Sequence, residues 1–156
     1  MSQNNYHITT IDQLPDEVEN LIHRGHVQDE ADNGVVCHYK KFALVVKDGE
    51  EEIVGALQAY TAFSEIYVDD IWVSPSARHN GLGRKLLQEL ETQFKGQGYN
   101  NINLVTSHFQ APDFYKKCGF TEEFTRANKK NPKLSKTFFV KYFDEENQFQ
   151  GVLKVS

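Results

Sequence analysis

Hydrophobic positions recur along the chain in two rhythms, and each change of rhythm marks an element. Leu14, Val18, Leu21 and Ile22 fall at i, i+4, i+7 and i+8, the stripe of an amphipathic helix, with Pro15 in its opening turn and Gly25 at its expected end. Tyr6 to Thr10, just before it, reads as a short strand. From Lys40 the period drops to two. "KKFALVVKDGEEEIVGALQAY" gives two β-type runs around Asp48-Gly49, whose tolerance of positive φ marks a hairpin, and the second run extends toward Phe63. "EIYVDDIWV", Glu65 to Val73, is rich in β-branched and aromatic residues and stops at Ser74-Pro75, so it reads as a central strand carrying two acids.

Helical spacing returns with Leu82, Leu86, Leu87, Leu90 and Phe94, and Gly96 and Gly98 stop it. Ile102 to Leu104 reads as a strand and "APDFYKKCGF" as a short helix ending at Gly119. Phe120 to Phe124 and Thr137 to Phe143 are two closing strands around the polar stretch "TRANKKNPKLSK". The order β-α-β-β-β-α-β-α-β-β predicts an α/β fold, a central mixed sheet with helices on both faces.

Composition narrows the class. The 156 residues, 39% of them hydrophobic, suit one domain over residues 1–144. Residues 145–156 then form a tail whose Phe149, Val152, Leu153 and Val155 can add a strand to a neighbouring subunit's sheet, so a homodimer is expected. Seventeen Lys and Arg against twenty-two Asp and Glu leave −5, which opposes a nonspecific grip on nucleic-acid phosphates and favours cationic partners. Cys37 and Cys118 form no CxxC pair, which points to a reducing compartment and no metal site. The chain shows neither a secretory leader nor an apolar run of about 18 residues, so a cytoplasmic protein without membrane partners is expected.

The glycines in "RHNGLGRKLL" raise a separate question, because glycine inside a helix costs roughly 1 kcal/mol against alanine. Placed between a strand and a helix start, they build an anion-binding device in which unpaired backbone N–H groups and the positive helix end converge. Neither the GxxxxGK phosphate loop nor the GxGxxG dinucleotide pattern is present. Gly81 and Gly83 would let a phosphate approach the backbone closely. A bulky residue at Gly83 is expected to block that ligand and leave the fold intact.

The stretch "VSPSARHNGLGRKLL" resembles the acetyl-CoA signature of the Gcn5-related N-acetyltransferases, with Arg78, Gly81 and Gly83 on its defining positions. "HFQAPDFYKKCGF" resembles the same family's second signature, matched at Ala111, Tyr115, Gly119 and Phe120. His108 stands where that signature usually has Asn. The resemblance implies acetyl-CoA as co-substrate, with its pyrophosphate on the loop and first turn formed by Arg78, His79, Asn80, Gly81, Leu82, Gly83 and Arg84. It further implies a thioester carbonyl held by backbone N–H groups of Ile71, Trp72 and Val73 where the sheet splays, and cofactor contacts from His108 and Lys117.

The implied reaction is direct transfer of the acetyl group to a primary amine of a small acceptor within a ternary complex. A protein lysine or N-terminus as acceptor, or a non-catalytic acyl-CoA sensor, are the alternatives. Tyr115 falls on the family's proton donor to the thiolate. Regular strand alternation places Glu65, Tyr67, Asp69, Ile71 and Val73 on one face and Asp70 with Trp72 on the other, which favours Asp69 as base. Asp70, Glu65, His108 and a water relay remain open, since an ordinary Asp near pKa ~4 is a feeble base toward an ammonium.

Overall fold

A computed structural model describes residues 5–143. They fall into two compact units, one ending at Cys37 and the other starting at His38.

The first unit holds one helix, α1 (Asp16–Asp32), which follows Pro15 and carries Asp16, Glu17 and Glu19 in its first turn, where the helix dipole favours acids. It runs through Gly25. The residue that ends it is Gly34, at φ 68°, whose N–H reaches the Ala31 carbonyl at 3.2 Å while the Val35 N–H reaches that of Glu30 at 2.9 Å. This left-handed closure satisfies carbonyls that Gly25, in mid-helix, cannot. Tyr6 to Thr10 forms no strand, because a strand persists only through a ladder and no described strand pairs with this segment.

The second unit is built on a six-stranded mixed sheet in the order β1-β2-β3-β4-β6-β5. Its strands are β1 (Lys40–Lys47), β2 (Ile53–Ala62), β3 (Glu65–Val73), β4 (Asn101–Ser107), β5 (Thr121–Arg126) and β6 (Lys136–Tyr142). The β1–β2 turn differs from a two-residue hairpin. The Asp48 carboxylate accepts from the Glu50 and Glu52 N–H groups, and the left-handed residue is Glu51 rather than Gly49. Two helices, α2 (Leu82–Phe94) and α3 (Pro112–Lys117), pack on the face that presents Leu57, Ile66, Ile102, Leu104 and Phe139. On α2, Leu86, Leu87 and Leu90 are the buried residues, as their spacing requires.

Two irregularities shape the second half of β3. The strand pairs with β4, the one parallel neighbour, over three rungs only, Glu65↔Asn101, Ile66↔Ile102 and Tyr67↔Asn103. Beyond Tyr67 the two strands part. The Tyr67 hydroxyl and the Asn101 amide both donate to the Glu65 carboxylate, which fixes the last rungs before the opening.

The second irregularity is a bulge toward β2, where Gln58↔Asp70 is followed directly by Ala59↔Val68, so Asp69 is the extra residue. The bulge overturns the regular alternation expected for this strand. Ile66 and Val68 face the core, and so does Ile71, opposite buried Leu57. Asp70 and Trp72, opposite Gln58 and Ala56, share the other face with Tyr67, opposite Tyr60. Asp69 therefore does not share a face with Ile71 and Val73, because a one-residue insertion reverses every later side chain.

Candidate active site

At the open end of β3 the chain turns through Pro75–Ala77 and reaches α2 by two left-handed residues, His79 at φ 68° and Gly81 at φ 70°. A Cβ at Gly81 would meet no protein atom within 4 Å, so within the protein it is the left-handed conformation that favours glycine there. The loop is braced from within. Arg78 Nε donates to the Val73 carbonyl at 3.0 Å, and Asn80 Nδ2 donates to the Ala77 carbonyl at 3.0 Å. No side chain caps α2, and its first backbone bond runs from Lys85 N–H to the Gly81 carbonyl at 3.0 Å. The N–H groups of Leu82, Gly83 and Arg84 thus lack intrahelical partners, and left-handed residues in the turn make a concave array of donors. The cradle fits a pyrophosphate.

Gly83 answers to something else. A Cβ there would lie 3.0 Å from Phe114 Cζ, tighter than ordinary contact, so the residue lets α2 approach the α3 ring. The contact adds a steric cost to any bulky residue at Gly83, beside the block on a ligand expected from the sequence.

Tyr115 lies on α3 with its ring 8% exposed, 5.7 Å from the Phe139 ring and 5.2 Å from that of Phe114. No described group hydrogen-bonds its hydroxyl, and among the described residues no sealed polar side-chain atom is left unpaired, so the hydroxyl reaches solvent. Burial first, then the charge of Asp70 and that of Cys118, pushes its pKa up to about 12. Asp69 acts elsewhere, raising the Tyr60 phenol second to that phenol's own burial.

A family model for the acetyltransferase (GNAT) family matches residues 9–120. The chain belongs to that family. It is similar, at 33% identity over 70 residues, to blasticidin-S acetyltransferase of Streptomyces morookaense, covering 44% of this chain and 52% of that one. The chain thus spans about half the length of this curated relative. The crystal structure of an acetyltransferase from Bacillus cereus is 30% identical with a TM-score of 0.71, covering 86% of this chain and 98% of that one. The ribosomal-protein-S18-alanine N-acetyltransferase of Escherichia coli, 15% identical with a TM-score of 0.58 over 81% of this chain and 89% of that one, shares the fold.

In this GNAT chain the residues matched to the signatures fall into separate groups. Ile71, Trp72 and Val73 pair with β2 on one side and face the opening on the other, where alternate N–H groups of a one-sided strand are free to donate. Arg84 and Lys117 meet across a cavity of about 260 Å3 that Cys118 also lines. Burial raises the Cys118 thiol above its ordinary range against the opposing pull of Arg84 and Lys141, the reverse of the shift that activates a nucleophilic cysteine. His108 Nε2 lies 3.2 Å from Thr137 Oγ1, and its backbone N–H donates to the Ser135 carbonyl at 2.9 Å.

Three features escaped sequence reasoning: Phe114 as the platform under Gly83, the bulge at Asp69, and Asp70 as the acid that acts on Tyr115. The described residues contain no group of three metal-ligating side chains, and no described helix is long and apolar enough to cross a membrane. The tail proposed for dimerisation, residues 145–156, lies outside the described residues.

Proposed function

We propose that the protein is an acetyl-CoA-dependent N-acetyltransferase acting on a small primary amine, with residues 1–144 working as one domain. The observation that carries this reading is the opening between β3 and β4 after the Tyr67↔Asn103 rung, beside a donor-lined turn that fits a pyrophosphate. The family model supports the domain by spanning both compact units. The name of the Streptomyces relative supports a small-molecule acceptor. A cytoplasmic homodimer joined through the tail completes the proposal.

Acetyl-CoA supplies an activated thioester. Backbone N–H groups among Ile71, Trp72 and Val73 hold and polarise its carbonyl, a role that needs no particular side chain. The N–H groups from His79 to Arg84 hold the pyrophosphate, Arg78 and Asn80 keep that turn in shape, and Lys117 with Arg84 offers positive charge to further phosphate. His108 donates to the amide-bearing arm in place of the family's Asn.

Tyr115 protonates the leaving sulfur. A phenol held near 12 stays protonated at physiological pH and acts as donor only. It is also a weaker acid than a thiol of pKa ~8.5, so its proton moves to sulfur only when the proton shed by the acceptor nitrogen replaces it. The carboxylates of the bulge serve that second transfer: strand alternation no longer chooses between them, but Asp70 is the acid whose charge acts on Tyr115, which leaves Asp69 as the base acting through water.

CoA release measured against polyamines, aminoglycosides, amino acids and peptides tests the proposal. Saturable, acetyl-CoA-dependent release with a small amine is the expected result. Calorimetric binding of acetyl-CoA with no release for any amine would leave a sensor instead.

A further inference from the structure

The segment Phe124 to Phe143 contains six of the seventeen Lys and Arg and not one Asp or Glu, in a chain of net charge −5. Lys141 is neutralised by Glu91 at 2.8 Å. The other five, Arg126, Lys129, Lys130, Lys133 and Lys136, are exposed, and among the described residues none has a carboxylate within ion-pair distance. Arg126, Lys129, Lys130 and Lys136 line one cleft of about 380 Å3 together with Asn128 and Leu134. Crowded like charges repel, so a shape that holds them together must be built. The Asn128 N–H donates to the Oγ of buried Ser135 at 2.9 Å, the Asn131 N–H to Asn128 Oδ1 at 3.0 Å, and a short 3-10 turn, Pro132–Leu134, closes the loop. The Arg126 guanidinium lies over the Phe138 ring, 5.2 Å from its centroid.

The position of the cleft connects it to the transfer site. Lys136 pairs with Ser107, the last residue of β4, and with Arg126 on β5. The loop is further tied to β4 through His108 N–H and the Ser135 carbonyl. Since β4 is one wall of the opening and strands lie ~4.8 Å apart, Lys136 is one strand and Arg126 two strands, roughly 10 Å, behind that wall.

We infer that this cleft is an anion site for the acceptor, which is therefore an amine carrying a phosphate or carboxylate at the far end of the molecule. Four cations including a guanidinium fork, with an amide beside them, suit a compact oxyanion, and the same charges repel polyamines. The acceptor's role rests on the acetyltransferase reading. The anion site rests on its own residues.

Two measurements test it, each on the full chain and on the Lys129→Glu, Lys130→Glu double variant. With CoA saturating the glycine turn, sodium tripolyphosphate is titrated and backbone amide resonances are followed. Residues 126–136 should shift in the natural protein, and the shifts should vanish in the variant while α2 amides and acetyl-CoA affinity stay unchanged. No shift in that segment, or equal shifts in both proteins, overturns the anion site. CoA release is then compared for matched acceptors, 6-aminohexyl phosphate against 6-aminohexanol and 8-aminooctanoate against octylamine, with spermidine alongside. The anionic member should have a KM about five- to tenfold lower, as two surface ion pairs allow, and the variant should erase that preference. The two pairs separate phosphate from carboxylate. Transfer indifferent to the anionic group, or favouring spermidine, overturns the inference and leaves the acetyltransferase reading standing. Polyphosphate binding without transfer to any amine overturns that reading and leaves the cleft.

Discussion

Replacing Gly83 by Val tests what the second signature glycine is for. A Cβ at that position sits 3.0 Å from Phe114 Cζ, whereas carbon atoms settle at about 3.5–4.0 Å, so the ring must retreat by a few tenths of an ångström for the Cβ alone and further for the two methyls of valine. Retreat is resisted, because Phe114 is partly buried against the core and edge-on to Tyr115 at 5.2 Å. Overpacking of this kind costs about 1–3 kcal/mol, and the helix propensity regained on leaving glycine returns only about 0.4 kcal/mol. Gly83→Val should therefore destabilise the protein by about 1–3 kcal/mol. In a Phe114→Ala background the clash is gone and the cost should fall to zero or reverse, giving a coupling of about 1–3 kcal/mol between the two sites. Urea unfolding of the four proteins of this cycle measures it, with acetyl-CoA titration in parallel. Gly81→Ala is the control: its Cβ meets nothing, its φ of 70° costs about 1–2 kcal/mol, and that cost should ignore Phe114. Additive Gly83 and Phe114 effects, or a Gly83→Val protein as stable as the natural one yet unable to bind acetyl-CoA, would refute the packing role and return Gly83 to clearing space for phosphate.

Tyr115→Phe should lower turnover by roughly 10²–10⁴ with acetyl-CoA affinity unchanged, read where chemistry limits the rate. The same substitution has a signature in stability. A phenol raised to about 12 favours folding fully below pH 10, and that contribution is lost as pH rises from 10 through 12, by up to about 2–3 kcal/mol. Denaturation at pH 9 and pH 11 should show a steeper loss in the natural protein than in Tyr115→Phe, and parallel losses would count against the buried phenol. Asp69→Asn should depress the maximal rate and alter the ascending limb of the pH profile. Asp70→Asn, which removes a charge that raises Tyr115, should instead move the Tyr115 ionisation downward in an ultraviolet titration, and exchange of these two outcomes would reverse the assignments. Truncation after Asp144 should shift a sedimenting dimer to monomer, and a full chain already monomeric at high concentration removes the tail from consideration.

How much of this was legible in the sequence depends on the range of the interaction that decides each element. α2 and β3 are set by local pattern and fall where periodicity places them, Leu82–Phe94 and Glu65–Val73. Tyr6 to Thr10 has strand-forming residues, yet a strand is decided by its partner, which composition does not show. The end of α1 was legible and misread, because Gly25 sits among good helix formers whereas Asn33-Gly34 offers the left-handed closure that ends a helix. The glycine turn shows the same limit. The spacing of Gly81 and Gly83 marks a helix start beside an anion cradle, but whether each glycine serves backbone conformation or a neighbouring ring depends on α3, thirty residues downstream.

The bulge in β3 is the most consequential departure, and its trace is in the sequence. Ile66 and Val68 keep a period of two, but the next aliphatic residues are Ile71, which packs against the core, and Val73, a phase slip of one residue that falls on Asp69-Asp70. A buried strand face cannot skip a beat without inserting a residue, so two adjacent acids between out-of-phase apolar pairs locate a bulge without any structure. Strict alternation, applied across that slip, assigned Asp69 to the wrong side. The physical consequence is that two consecutive carboxylates no longer alternate between faces at the point where β3 loses β4. One raises Tyr60 and the other raises Tyr115, so a single inserted residue gives the same short stretch of chain two differently placed negative charges beside the opening. In the reaction proposed above, Asp69 takes the proton shed by nitrogen and Asp70 keeps the Tyr115 phenol protonated until sulfur takes its proton, so one short stretch of strand would serve both transfers.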